Sequence, residues 1–269
     1  MLDPARPIYS HAPLKLVTFQ IQFPQVPDLD DLQPPRQIAH ALRERYPIIG
    51  QPPVVQLDFG PGQAQQRVRG SRMMNRSRTW TVTMTSDAVS IETSRYQRYE
   101  KFAEQVGWIL DRVHAATPIP AVTRIGMRYI DEIEIEGADE LADWKPWINE
   151  HLIVGGLIEG YRTHDYIVQA ALEVDEFKHM VVRYGRVTQP VVNPEGVLRI
   201  DRTPTAPYFL LDIDSFWEPS RDEFREFSAD EVREVSLTLH HPIREIFERA
   251  ITPALRERFA AAAVGTEES

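Results

Sequence analysis

The stretch LKLVTFQIQF, Leu14 to Phe23, places Val17, Phe19, Ile21 and Phe23 on one side of an extended chain and Leu16, Thr18, Gln20 and Gln22 on the other. A period of two is the signature of a strand with one buried face, so the chain is expected to begin with a half-buried strand. Pro24 and Pro27 end it, because proline has no N–H to give to a ladder. A helix is predicted over Gln33 to Tyr46, with Pro34 and Pro35 in its first turn and Pro47 closing it. Strands are predicted at Val54 to Phe59, at Arg67 to Gly70 beyond the Gly60-Pro61-Gly62 turn, at Thr79 to Met84, and at Ala88 to Thr93, the last two joined by the short Ser86-Asp87 turn. From Arg98 the period lengthens to that of a helix. Phe102, Val106, Ile109 and Val113 form its apolar stripe, and it ends before Pro118. A further strand, Val122 to Ile135, carries Ile125, Met127 and Tyr129 on one face and Arg124, Gly126 and Arg128 on the other. A helical stretch over Leu141 to Leu152 then leads to the Gly155-Gly156 break.

The second half runs through the same order of events. Tyr166 to Val174, Met180 to Tyr184, Leu198 to Asp201 and Tyr208 to Ile213 read as strands, and Ser228 to Ile251 as one long helix. Ser228 is its expected N-cap, with Glu231 completing a capping-box pattern. Both long helices end alike, in Ala115-Ala116-Thr117-Pro118 and in Ala250-Ile251-Thr252-Pro253. The expectation is an α+β protein of two antiparallel sheets, each closed by a long amphipathic helix, as a duplicated unit. The halves are residues 1–136 and 137–269, which can also join as one compact domain. The tail from Thr266 is expected to be disordered.

Composition narrows the chemistry. The 269 residues can bury a sizeable core, and 42% hydrophobic with 26% charged residues is ordinary for a globular protein. There is no cysteine, which removes disulfides, thiolate nucleophiles, thiolate zinc sites and iron–sulfur clusters together. No apolar run approaches the ~20 residues that cross a bilayer, and Met1 to Pro13 contain three prolines and no signal-peptide core, so a cytoplasmic protein without membrane contact is expected. The net charge of -10 opposes general attraction to nucleic acid or anionic lipid. G-x-S-x-G, P-loop, H-E-x-x-H and Gly-rich dinucleotide patterns are all missing, and no cofactor is expected.

Four segments, Tyr96 to Phe102 (YQRYEKF), Arg124 to Asp131 (RIGMRYID), Leu210 to Phe216 (LLDIDSF) and Leu239 to Thr252 (LHHPIREIFERAIT), carry a resemblance. With the first strand, which ends Ile21-Gln22-Phe23-Pro24, they make the chain similar to a sporadically distributed bacterial family of about this length that has no assigned function. The likeness spans nearly the whole chain. It implies a bacterial cytosolic protein and carries over no catalytic residue, since the shared segments are mostly aromatic, aliphatic and Arg residues.

Three constellations remain. Asp212 and Asp214 flank Ile213 on a strand, which puts both carboxylates on one face. With His240 and His241 they offer oxygen and nitrogen donors. However, adjacent helical histidines diverge by about 100°, and two aspartates pairing with arginines need no ion, so no metal is expected. Arg124 and Arg128 share a face opened by Gly126, and Arg199 and Asp201 alternate in the same way. Together with the Asp pair they form either a fork-shaped anion site or a structural Arg–Asp network. Arg67, Arg69, Arg72, Arg76 and Arg78, followed by Trp80, put five arginines in twelve residues. They are either a contact for a partner, including nucleic acid, or a solvated hairpin. The reading favoured by the residues is a non-enzymatic binding protein with a protein partner, in a bacterial defence or toxin-neutralising module; a nucleic-acid partner through the hairpin is not favoured. The alternative is an anionic-ligand protein or enzyme using Arg124, Arg128, Asp212, Asp214 and His240.

Overall fold

A computed structural model describes residues 9, 11–30, 33–50, 54–58, 63–67, 70–154, 161, 163–192, 196–200, 207–220 and 224–260. The elements run β1 (Leu14–Gln22), α1 (Gln33–Leu42), β2 (Ile48–Gly50), β3 (Val54–Asp58), β4 (Gln63–Arg67), β5 (Gly70–Met74), β6 (Trp80–Thr85), β7 (Ala88–Thr93), α2 (Tyr99–Ala116), β8 (Arg124–Ile133), β9 (Val168–Asp175), β10 (Lys178–Val187), β11 (Tyr208–Trp217), α3 (Ala229–Ala250) and α4 (Pro253–Ala260). The α+β class and most predicted elements are present. Two expectations at the level of elements differ. Leu198 to Ile200 are not a strand, and the stretch Leu141 to Leu152, predicted helical, holds two short 3-10 turns, Leu141–Trp144 and Glu150–Leu152. Of the predicted strand over Arg67 to Gly70, Arg67 ends β4 and Gly70 begins β5, and Val68 and Arg69 lie outside the described residues.

The two-sheet duplicated arrangement does not form. β1 pairs antiparallel with β7 along one edge and with β8 along the other, and β8 pairs in turn with β11. The result is a single open antiparallel sheet of nine strands in the order β2-β5-β6-β7-β1-β8-β11-β10-β9, with β3 and β4 pairing separately. Alternation in the sequence reports which face of a strand is buried. It says nothing of which of a strand's two edges finds a partner, so a pattern of two meanders is equally compatible with two sheets and with one. The sheet continues across the boundary at residues 136 and 137 through the β8–β11 pair.

Period two decides the layering. Val17, Phe19 and Ile21 of β1, Val82 and Met84 of β6, Val89 and Ile91 of β7, Ile125 and Met127 of β8, and Leu211 and Ile213 of β11 are buried on one face. They share a core with Ile38 and Leu42 of α1, Phe102, Val106, Ile109 and Val113 of α2, and Leu239 and Ile243 of α3. A smaller cluster on the same face packs Ile133 and Phe209 against Leu255 and Phe259 of α4. Fully burying each such side chain contributes roughly 1.5–3 kcal/mol, which is why the helices collect on this side. α3 starts as the sequence predicts: the Ser228 hydroxyl accepts from the Glu231 N–H at 3.3 Å. No helix among the described residues is long and apolar enough to cross a membrane.

Two glycines fix local geometry in opposite ways. At Gly185 (φ 159°) an added Cβ would lie 1.9 Å from the Tyr166 carbonyl oxygen, because the chain entering β9 runs tight against β10 and the Tyr166 N–H donates to the Arg186 carbonyl. Gly107, inside α2, has nothing within 4 Å of the same position. Gly185→Ala is therefore expected to lower stability by at least ~2 kcal/mol, with a backbone oxygen that cannot move aside. Gly107→Ala should raise stability by about 0.5–1 kcal/mol, a melting temperature a few degrees higher by differential scanning calorimetry.

Candidate binding face of the sheet

All four helices share cores with one face of the sheet, and the opposite face carries most of the chain's patterned polar residues. Register aligns them in rows. One row crosses Thr81, Glu92, Thr18, Arg128, Asp214 and Val181; the next crosses Arg72, Thr83, Ser90, Gln20, Gly126 and Phe216. At one end of this face Ile130, Val187, Tyr208 and Leu210 form a small apolar cluster with Leu16 and Val192. The charged layer occupies the part beyond it.

Asp212 is the hinge of that layer. Its side chain is 2% exposed, and its two oxygens accept from Arg128 Nε and Nη2 at 2.7 Å each, a bidentate fork, while Arg183 Nη1 donates to Oδ2 at 3.3 Å. Arg128 nevertheless keeps 40% of its side chain exposed and Arg183 keeps 34%. Asp214 is held more loosely, 3.6 Å from Arg124 Nη2. Burial raises the Asp214 pKa, opposed first by Arg124 and then by Arg128. Arg124 lies back over Gly126: a Cβ there would sit 2.7 Å from Arg124 Nη1. Its guanidinium stands 4.4 Å from the Phe216 ring centroid, a cation–π contact, and Nη1 reaches Gln20 Oε1 at 3.5 Å. The layer thus sets three guanidiniums against two carboxylates, and all three arginines remain in part open to solvent or a ligand. Farther along, burial raises the Glu92 pKa while Arg72 opposes the shift, Arg72 Nε donates to Thr83 at 3.2 Å, and the buried Thr81 hydroxyl has no hydrogen-bond partner.

His240 is not part of this site. It projects from α3 onto the helix-covered face, on the other side of the sheet from Asp212 and Asp214. Its ring stacks on Tyr99 at 4.5 Å, and its Nδ1 shares a hydrogen bond with the Tyr129 hydroxyl at 3.2 Å. The Tyr129 hydroxyl also donates to Tyr96 at 2.9 Å, and Tyr99 bonds Ser236 at 2.7 Å. Burial drives the His240 pKa down to about 3, with Arg244 adding to the shift, and drives the Tyr129 pKa well up. Neither group is poised to exchange a proton near neutral pH, so the cluster has the properties of a neutral hydrogen-bonded core and not of an acid–base pair. Among the described residues no three His, Asp or Glu side chains converge as metal ligands.

The arginine hairpin also divides. Arg72 belongs to the open face, while Arg76 and Arg78 are exposed in the β5–β6 turn. Arg78 adopts φ 56°, and its carbonyl accepts from the Arg199 N–H at 2.7 Å. Trp80 points to the helix side and stacks on Phe102 at 5.6 Å, so it is packed as core and not offered to a base. Arg199 is exposed beside that turn and away from Asp212, its carbonyl accepting from the Ser94 hydroxyl at 2.7 Å. Asp201, Arg69 and the side chain of Arg67 lie outside the described residues. Sequence reasoning missed Arg183 and Gln20. The signal was present for Gln20 in the β1 alternation; for Arg183 it needed the β10–β11 register. No protein-family profile matches the chain, and no curated protein sequence is similar to it.

A further buried acid, Asp131, lies on the helix face two residues from Tyr129. Asp131 is pushed up to about 8, first by burial and second by the charge of Asp212. The native state then holds a proton that the unfolded chain releases near its ordinary value of 3.8, so stability present below that value is lost as pH rises through about 8. Asp131→Asn keeps the neutral form at every pH. The melting-temperature gain of Asp131→Asn over the parent should grow steadily from pH 5 to pH 8; a gain independent of pH would show that this carboxyl is already ionised. Within the charged layer, Asp212→Ala should cost about 3 kcal/mol in urea unfolding, since it strands two arginines, while Asp214→Ala should cost less than about 1.

Proposed function

We propose that this chain is a non-enzymatic binding protein whose recognition surface is the charged, helix-free face of the sheet and whose partner is another protein presenting acidic groups. The observation that carries the reading is the arrangement around Asp212: Arg128 and Arg183 are pinned by one buried carboxylate and still keep 40% and 34% of their side chains exposed. Arginines held this way lose little freedom when a further anion docks, which favours binding by cutting the entropy of association. Three guanidiniums against two carboxylates leave the layer one positive charge in a chain of net charge -10. A local positive field on a negative body selects acidic partners while general nucleic-acid attraction stays weak. The helix-side cluster, with its histidine held neutral and its tyrosines hard to ionise, supports a binding role over a catalytic one. A cytoplasmic setting in a bacterial defence or toxin-neutralising module belongs to this reading through the family resemblance.

The test is purification at native expression, identification of whatever accompanies the chain in stoichiometric amount, and titration of the purified pair by calorimetry. Arg183→Gln should weaken binding at least tenfold, with the melting temperature within ~2 °C of the parent, because Arg128 still satisfies Asp212. Arg76→Gln combined with Arg78→Gln should change affinity less than about twofold. The reverse pattern would move the interface to the hairpin. A chain accompanied only by an anionic metabolite whose binding needs Arg183 would replace the protein partner with a small ligand on the same face.

A further inference from the structure

We infer that the outer edge of β9 is a self-association edge at which a second copy of this chain adds its own β9 antiparallel, joining two sheets into one. The sheet is open, and its two edges are unequal. At one end stands β2, three residues long; at the other stands β9, eight residues long, bonded to β10 along one side and to nothing described along the other. A short strand is one of the ways by which an edge is made harmless, whereas a longer one is a template for another strand; β9 pairs regularly with β10 from Val168 to Glu173, and its register shifts only at Val174. β9 is also exposed on both faces: every residue from Ala171 to Asp175 is exposed, Leu172 at 42% and Val174 at 45%. No helix shares a core with these two side chains, although Leu172, opposite Met180, lies on the helix side of the sheet.

The occupant follows from self-complementarity. Pairing β9 with itself about Ala171 sets Ala170 against Leu172 on the helix side, apolar against apolar, and brings Val168 opposite Val174, where the register with β10 shifts. On the open side it sets Gln169 against Glu173 of the second copy. Gln169 Oε1 already accepts from Arg183 Nε at 2.8 Å, so its amide N–H groups are turned toward a further acceptor, which the Glu173 carboxylate supplies. No carboxylate opposes another in this register, and Asp175 at the strand's end is neutralised by Lys178 at 2.7 Å. In an antiparallel edge pair, directly opposed residues point to the same side. The twofold axis therefore stands normal to the sheet, and both charged faces emerge on one side of the dimer. Asp212 lies on the third strand from the seam, so the two copies of the layer are five strand spacings apart, roughly 24 Å. This inference stands independently of the protein-partner reading, since a dimer forms or fails whatever the face binds.

The absence of cysteine makes the test direct. The parent chain should sediment at twice 31.0 kDa at micromolar concentration, and Leu172→Glu combined with Val174→Glu should bring it to the monomer mass with an unchanged far-ultraviolet spectrum. Single cysteines placed at Ala170, Ala171, Leu172 and Glu173 should cross-link to themselves under mild oxidation with a maximum at Ala171→Cys. Only the residue on the axis meets its own copy at the ~4.5–5.5 Å Cα separation that a disulfide needs. Ile49→Cys, on the opposite edge, should not cross-link. A monomeric parent at 200 μM, a cross-linking maximum at Ile49→Cys, or capture of a different chain by Ala171→Cys would each overturn the inference, the last by giving the edge to a foreign strand.

Discussion

The antiparallel pairing of β1 with β8 is the constraint on which the rest of the structure depends. Gln20 stands opposite Gly126 and Thr18 opposite Arg128, and this register commits both strands to the same division of faces. Every odd-numbered residue from Val17 to Ile21 then joins the helices, and Ile125, Met127 and Tyr129 join with them. Because β7 and β11 attach to the remaining edges of the pair, the division propagates outward in both directions, through β6 and β5 on one side and β10 and β9 on the other. A slip of one residue anywhere would turn an apolar set outward and a charged set into the core, a cost of several kcal/mol for each side chain misplaced. The layer around Asp212 exists because that register holds. Arg128 and Asp214 oppose each other across β8 and β11, and the fork from Arg128 reaches two residues along β11 to Asp212.

Much of this was legible in the residues, for definite physical reasons. The alternation in Leu14 to Phe23 gave the buried face of β1 residue by residue, and β7 spans the predicted Ala88 to Thr93 because a short polar turn and a Thr-rich strand leave little alternative. The stripe of Phe102, Val106, Ile109 and Val113 placed α2, and Ser228 placed the start of α3. The grouping of Arg124, Arg128, Asp212 and Asp214 was also readable, since each lies on a strand whose period was clear. What the residues withheld was edge partnership. Two meanders with a helix after each read naturally as two sheets, and only the pairing of β1 with β8 makes them one. The same gap put His240 with Asp212: nothing in a helix's sequence says which side of a distant strand it will cover. Trp80 was misjudged for a related reason, because an indole beside arginines looks available until its strand's period assigns it to Phe102.

The two faces of the sheet hold polar groups in contrasting electrostatic states. On the helix side, burial without a counter-charge makes ionisation unfavourable, so His240, Tyr129 and Asp131 are all driven toward neutral forms. Hydrogen bonds among Tyr96, Tyr129 and His240 satisfy them without creating charge. On the open side, charge is retained at Asp212 and Asp214 because guanidiniums stand within reach of both. The first arrangement rigidifies a core; the second presents a patterned field to whatever approaches. Asp131, whose carboxyl burial pushes up to about 8, is enclosed on the helix side, away from the open face. The chain's polar chemistry is thus divided by the sheet in a way that suits recognition.

The open sheet leaves its ends to be dealt with, and the two ends meet that demand differently. β2 is described over three residues, Ile48–Gly50, a short edge for a long foreign strand. β9 continues for eight, with its terminal carboxylate already paired. A strand carrying Glu173 and Asp175 on a chain of net charge -10 would be repelled by most of its acidic neighbours, which makes indiscriminate edge association unfavourable. That repulsion is avoided when the strand pairs with itself about Ala171, where Glu173 meets the Gln169 amide and Asp175 keeps its own Lys178. The same charge that suppresses non-specific pairing thereby selects the pairing that remains, and it sets two copies of the arginine layer on one side of a continuous sheet, within reach of a single acidic partner.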